Sequence, residues 1–178
     1  AIEGLIRFCH VEPRLPDPAS KTFVAPGTPL ALDPDMGTEG VRARLEAIRG
    51  SNLVAELAFY AARDLTRSDP EPFLLACFER SPVSLIGSTG LSDDAVLAVL
   101  RSWPDESIYD GPGRLAQPDE VWNFRRGDGL EKALTAAHIL RHRHPDAPLR
   151  VVVSPDRARL EWDDHVEEWS SVKNLAPA

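Results

Sequence analysis

The sequence predicts an α+β domain in which N-terminal helices pack on a small antiparallel sheet. Apolar residues recur at helical spacing through the first two thirds of the chain, and two strand-like runs follow a long amphipathic helix near the C-terminus. Because the helices precede the strands, this order favours an α+β arrangement over a parallel sheet with crossover helices. A chain of 178 residues, 43% of them hydrophobic, suffices for one core, so a single domain over residues 1–178 is expected.

Residues 1–36 are expected to form a proline-rich N-terminal segment. Residues 4–11 alternate in a pattern that fits an edge strand, and residues 22–25 fit a second short strand. Each proline removes a backbone donor and biases the residue before it away from helix. A long loop is therefore predicted around six prolines: Pro13, Pro16, Pro18, Pro26, Pro29 and Pro34.

Residues 37–116 are expected to form the helical part of the domain. Polar residues before apolar runs at helical spacing are typical of N-caps, and proline is tolerated in a first helical turn. Gly50 separates the first two helices and Pro104 ends the last one, while the run 83–86 is too short to be assigned. The helices are predicted to begin near Thr38, Ser51, Asp69-Pro70 and Ser92.

Residues 117–178 hold the strongest local signals. Pro118 opens a short helix through Trp122, and Gly129 opens a long helix whose apolar residues face inward. The long helix ends in a cluster of cations before Pro145, where the helix dipole is negative. The remaining elements are predicted to be an antiparallel hairpin of 149–153 and 157–162, then a short helix or third strand at 165–172.

Two runs in this part of the chain form a motif, with a strand pair after it. They read Gln117-Pro118-Asp119-Glu120-Val121 and Arg126-Gly127-Asp128-Gly129-Leu130-Glu131-Lys132-Ala133-Leu134, and the helix then ends at Leu140-Arg141. The motif resembles the core of transglutaminase-like (papain-like) cysteine enzymes. In that family a Gly-Asp-Cys-type loop places the nucleophilic Cys at the start of a helix, and a strand pair supplies a His and then an Asp. The resemblance covers the last third of the chain and implies a transglutaminase-like fold.

The departures of this chain from the family's pattern imply that the domain is catalytically inactive. A helix N-terminus lowers the pKa of a Cys thiol placed there, but the matching residue is Gly129, which has no side chain. The family's His falls near Arg157-Ala158, and His165 lies beyond the far end of that strand. The implied function is a binding or scaffolding module. The alternative is an enzyme of different mechanism that uses the same cleft, a hydrolase or transferase acting on a peptide, a carbohydrate or a metabolite.

Four residues are predicted to line this cleft, and none is assigned a catalytic role. Asp128 is interpreted either as a polar group at the cleft mouth or as the cap of the helix beside it. Arg126 either binds an acidic ligand or forms local salt bridges, and Trp122 has the spacing of a core residue. The amides of Gly129 and Leu130 are expected to face the cleft. The candidate ligand-binding residues are Asp128, Gly129, Arg126 and Trp122.

His138 and His142 form a second candidate site. They are four residues apart on a predicted helix, a spacing that can place two imidazoles on one side of a metal ion. Imidazoles near a helix C-terminus are also favourable without a metal, because the dipole is negative there. No Glu lies between the two residues as it does in zincins. No metal and no cofactor are therefore predicted.

The cysteines and one tryptophan complete the candidate residues. Cys9 and Cys77 are interpreted as buried thiols, because both lie in apolar surroundings and two cysteines make no disulfide framework. Trp169 follows two glutamates and is predicted to be an exposed contact residue.

Charge and composition exclude several classes of partner. The formal charge of -8, the pI of about 5.1 and the scattered Lys and Arg residues argue against nucleic acid. No run approaches the length of a membrane-spanning helix, and the N-terminus carries no signal-peptide pattern. A cytoplasmic protein is expected, with a protein or small-molecule ligand of unknown identity and with no nucleic-acid or membrane partner.

Overall fold

The computed structural model describes residues 17–23 and 25–175. Within these residues seven α-helices precede a three-stranded antiparallel sheet, which confirms the predicted α+β class. None of the described helices combines the length and the apolar character needed to cross a bilayer. The helices are α1 (Thr38–Ile48), α2 (Leu53–Ala61), α3 (Glu71–Glu79), α4 (Pro82–Gly87), α5 (Asp93–Ser102), α6 (Pro118–Phe124) and α7 (Gly129–Arg143). The strands are β1 (Leu149–Ser154), β2 (Arg157–Trp162) and β3 (His165–Ser170), and two 3-10 turns span Pro18–Ser20 and Arg49–Ser51.

Helix α7 is the centre of the fold. It contacts all three strands, and it also contacts α3, α4, α5 and α6. Every residue from Gly129 through Leu140 is buried, although the sequence pattern predicts one inward-facing stripe. The packing of helices and sheet around α7 therefore buries its charged residues as well as its apolar ones.

The sheet has the order β1-β2-β3, so β1 and β3 are its edge strands. The predicted hairpin is confirmed, with Ser154 opposite Arg157 across a two-residue turn. A second two-residue turn places Trp162 opposite His165, so the third predicted element is a strand. Ala158 and Leu160 of β2 are buried in the core cluster shared with α7, as the alternation of a half-buried strand requires.

The helix starts follow the predicted capping chemistry at some positions and differ at others. Ser92 caps α5 by accepting a hydrogen bond from Ala95 N at 3.2 Å, as predicted. Helix α2 is capped by Asn52 and not by Ser51, since the Asn52 side chain accepts from Ala55 N at 2.9 Å. The run left unassigned at 83–86 belongs to helix α4, whose first amides are bound by the distant Asp119 carboxylate. That cap comes from another helix, so no local signal marks it.

The described part of the N-terminal segment has less regular structure than predicted. The strand predicted at residues 4–11 lies outside the described residues. No strand forms at the described positions of 22–25. Gly27 instead makes an isolated bridge with Asn52, and Leu53 N donates to Pro26 O at 3.2 Å, which fastens the loop to the start of α2.

Trp169 is buried, so the prediction that it is an exposed contact residue is wrong. It lies on β3 in the core cluster beneath α7, where a bulky ring fills the space between the sheet and the helix. Cys77 is a buried free thiol as predicted, and burial raises its pKa to about 12. Cys9 lies outside the described residues.

Candidate functional site

Gly129 is the first residue of α7, as predicted, but the space beside it is closed. It is fully packed beneath β3, and a β-carbon added to it would lie 2.1 Å from the Ser170 carbonyl oxygen and 2.7 Å from Trp169 Cβ. Real β-carbons essentially never come within 3.0 Å of a heavy atom that belongs neither to their own residue nor to its chain neighbours. The position that matches the family's nucleophile therefore has no room for a side chain unless β3 moves, and Gly129 packs against β3 within the described residues.

Asp128 caps α7 and also holds the C-terminal segment. It is buried, and its carboxylate accepts from Leu130 N at 2.9 Å, from Ser171 Oγ at 2.5 Å and from Val172 N at 2.9 Å. Of its two interpretations, the structure favours the cap. The Leu130 amide, expected to face a cleft, is bound by this carboxylate instead.

Glu131 completes a capping box with Asp128. Its carboxylate accepts from Asp128 N at 2.8 Å, from Ala116 N at 2.7 Å and from Ser107 Oγ at 2.6 Å. Burial raises the pKa of Glu131 above its usual range, and the three donors oppose that shift. The sequence signal for this pair is the D-x-x-E spacing at the start of a predicted helix.

Two buried lysines extend this polar network. Lys132 Nζ donates to Trp103 O at 2.7 Å and to Asp105 Oδ1 at 2.5 Å. Lys173 Nζ donates to Tyr109 O at 2.6 Å and to Gly111 O at 2.7 Å, and burial lowers the pKa of Lys173. Both lysines therefore fasten the loop after α5 over the start of α7. No sequence signal marks them, because their burial depends on where that loop lies.

A polar cavity of about 600 Å³ lies beside this network. It is lined by two of the four predicted residues, Arg126 and Asp128, while Gly129 and Trp122 are not part of its wall. Arg126 Nη2 pairs with Glu106 Oε2 at 2.6 Å, and its Nε donates to Glu106 O at 3.1 Å. Arg126 therefore forms a local salt bridge, which is one of the two roles predicted for it. The other wall residues are Asp105, Glu106, Ser107, Tyr109, Asp110, Gly111, Pro112, Val172 and Lys173.

Trp122 packs between helices. Its ring meets Trp103 edge-to-face with the ring centroids 5.3 Å apart. A β-carbon added to Gly87 would lie 2.0 Å from Trp122 Nε1, so α4 approaches this ring at a glycine. These contacts fit the core spacing predicted for Trp122.

His138 and His142 do not form a shared site. His138 is buried, its Nε2 lies 2.9 Å from Ser81 O, and burial lowers its pKa. His142 lies at the wall of a separate groove beside Asp93, whose carboxylate pairs with Arg143 Nη1 at 2.7 Å. In the part of the chain that the structure describes, no group of three or more His, Cys, Asp or Glu residues is placed to hold a metal ion.

A second cavity is apolar and open. It has a volume of about 530 Å³ and lies between α3, α7 and the edge strand β1. We call it the α3–β1 groove. Leu75 at its rim is 54% exposed and Val153 is 36% exposed. Its wall consists of Leu74, Leu75, Phe78, Leu130, Leu134, Arg141, Leu149, Val151, Val153 and Leu175.

Comparisons with protein-family models, with curated proteins and with solved structures found no match to this chain. The transglutaminase-like resemblance therefore rests on the residues quoted for it, and it stays a prediction. The order of short helix, loop, long helix and antiparallel strands is the order that the resemblance implies.

Proposed function

We propose that this domain is a catalytically inactive, transglutaminase-like module that binds a ligand in the α3–β1 groove. The observation that carries the proposal is the closed packing of Gly129 beneath Ser170 and Trp169, next to an apolar groove that stays open. A filled catalytic position together with an exposed apolar surface elsewhere is the combination expected of a binding module.

The titratable groups near the start of α7 support an inactive domain. A catalytic acid, base or nucleophile needs a proton or lone pair that can reach the substrate. Both Glu131 oxygens accept hydrogen bonds from the protein, and the Lys173 ammonium donates to two backbone carbonyls. The pKa values of Glu131 and Lys173 are shifted because both groups are buried in this hydrogen-bond network. Structural networks of this kind shift pKa values in proteins without any catalytic role.

The α3–β1 groove has the properties of a ligand site. Its volume of about 530 Å³ lies within the ~300–1,000 Å³ of typical ligand pockets. Nine of its ten described wall residues are apolar, so burial of an apolar ligand surface is its main source of affinity, at roughly 25 cal/mol per Å².

A thermal-shift ligand screen on matched variants tests this proposal. A ligand that binds only the folded state raises the apparent stability. Val153→Glu places a charge in the groove, and Val166→Glu places the same charge on β3, where Val166 is 60% exposed and outside the groove. We expect ligands that stabilise the wild type to lose their effect on Val153→Glu and to keep it on Val166→Glu. Ligands that act equally on both variants would place the binding site elsewhere.

The polar cavity supports a second candidate, an enzyme of different mechanism acting on a peptide, a carbohydrate or a metabolite. Arg126, Asp128 and Lys173 converge on that cavity. Arg126→Gln removes its most exposed cation without touching the network around Glu131. The enzyme would be favoured over the binding module if the protein turns over a substrate, if Arg126→Gln abolishes that turnover, and if Val153→Glu leaves it unchanged.

A further inference from the structure

We infer that the ligand of the α3–β1 groove is a small amphipathic carboxylate of the fatty-acid type, with its chain in the groove and its carboxylate on Arg141. This inference rests on the proposed function and names the class of ligand. It stands on three observations: the composition of the wall, the contacts of Arg141 and the dimensions of the groove.

Among the described residues, the wall contains one charged side chain. That residue is Arg141, and none of the described wall residues is acidic. The protein as a whole carries a formal charge of -8, so the local sign at this groove is opposite to that of the molecule. An apolar body with one anionic end matches this distribution, because the exposed guanidinium attracts an anionic end, repels a cationic one and gains no ion pair from an uncharged one.

The contacts of Arg141 leave part of its guanidinium available. Its Nη1 donates to Pro145 O at 3.0 Å and to Ala147 O at 3.4 Å, which fixes the group after the end of α7. Its Nε and Nη2 make no hydrogen bond to the described residues. The nearby Arg143 differs, because its Nη1 pairs with Asp93 and its Nη2 donates to Ser88 O. A guanidinium held in place with one edge free is suited to a bidentate carboxylate.

The groove is long enough for an acyl chain. Leu130 and Arg141 lie on the same helix, eleven residues apart, which corresponds to about 16 Å at 1.5 Å per residue. A ten-carbon chain is shorter than this span. With the carboxylate at Arg141, the chain would run along Leu134 toward Leu130, opposite β1.

The test uses three ligands that share a ten-carbon chain: decanoate, 1-decanol and decyltrimethylammonium. Each is titrated well below its aggregation concentration, and binding is measured by calorimetry. The variants are Arg141→Gln, Arg141→Lys and, as a matched control, Arg150→Gln on β1, an exposed arginine outside the groove wall. We expect the wild type to prefer decanoate, and Arg141→Gln to weaken decanoate by roughly twofold to fivefold, because a solvent-exposed ion pair is lost. Decanol affinity should not change in Arg141→Gln, Arg141→Lys should retain part of the decanoate preference, and Arg150→Gln should match the wild type.

The outcomes separate this inference from the proposed function. One outcome would overturn the carboxylate assignment and leave the groove as a binding site. In that outcome decanoate and decanol bind with equal affinity, Arg141→Gln changes neither affinity, and Val153→Glu abolishes the binding of both. The same holds if an apolar peptide binds the groove and decanoate does not. If none of the three ligands binds and the ligands from the screen ignore Val153→Glu, both the inference and the proposed function fail.

Discussion

Replacement of Gly129 by alanine tests whether the start of α7 is closed. The added β-carbon would lie 2.1 Å from the Ser170 carbonyl oxygen, so β3 must retreat by about 0.9 Å to restore a separation of 3.0 Å. The atom in the way belongs to the backbone, so no side-chain rotation relieves the contact. Overpacking of this kind costs roughly 1–3 kcal/mol.

The same movement disturbs the contacts of Asp128. Ser171 and Val172 follow the displaced carbonyl, and both donate to the Asp128 carboxylate. A hydrogen bond to a charged group contributes roughly 1.5–3 kcal/mol. Alanine recovers up to about 1 kcal/mol through its helix propensity. We therefore expect Gly129→Ala to lower the free energy of unfolding by about 3 kcal/mol, a large part of the ~5–15 kcal/mol of a typical domain.

Urea unfolding followed by tryptophan fluorescence measures this loss, with Gly50→Ala as the control. Among the described residues, no heavy atom lies within 4 Å of a β-carbon added to Gly50, and its φ is not positive. Its replacement should therefore change the free energy of unfolding by less than about 1 kcal/mol. If Gly129→Ala is within about 0.5 kcal/mol of the wild type, β3 does not pack on Gly129 and the argument for an inactive domain loses its basis.

Two further predictions concern the half-buried Glu120 and the buried Glu131. Burial alone would raise the pKa of Glu120, but hydrogen bonds from Arg63 and Tyr109 outweigh it and hold the pKa below its usual range. The stability that this depressed pKa contributes is present above the unfolded pKa of 4.5 and is lost as the pH falls through the folded pKa. The difference in free energy of unfolding between wild type and Glu120→Gln should therefore shrink between pH 6 and pH 3, as measured by urea unfolding at each pH. A difference that stays constant over this range would contradict the prediction. Glu131→Gln replaces one accepting oxygen by an NH₂ group that faces hydrogen-bond donors. We expect this variant to lower the free energy of unfolding by roughly 1–3 kcal/mol. The control Glu106→Gln changes an exposed carboxylate and should change the free energy of unfolding by less than about 1 kcal/mol.

The sequence predicts those parts of the site that depend on local chemistry. The start of α7 at Gly129, the cap at Asp128 and the hairpin turn before Arg157 depend on residues a few positions apart. Such signals act through backbone geometry and short-range hydrogen bonds, which any surrounding fold must satisfy. The α+β class follows from the order of these elements.

The sequence does not predict the parts that depend on distant segments. Gly129 is closed by Ser170, more than forty residues later, and Lys132 is buried by the loop near Trp103. Helix α2 shows the opposite error, because its predicted apolar stripe includes Leu53 and Leu57, both more than half exposed in the described part of the chain. Hydrophobic spacing identifies a helix, but only the tertiary packing decides which faces are covered.

The polar groups at the start of α7 hold neighbouring segments of the chain in place. A thiolate enzyme needs the free amides of a helix N-terminus to stabilise a charged nucleophile. Here Asp128 and Glu131 occupy those amides, and they also hold the segments at Ser107, Ala116 and Ser171. The negative charge that the helix end stabilises therefore belongs to the protein's own capping carboxylates. The ligand surface that we propose lies instead along the flank of the same helix, between Leu130 and Arg141, where the wall is apolar and one guanidinium edge makes no hydrogen bond to the described residues.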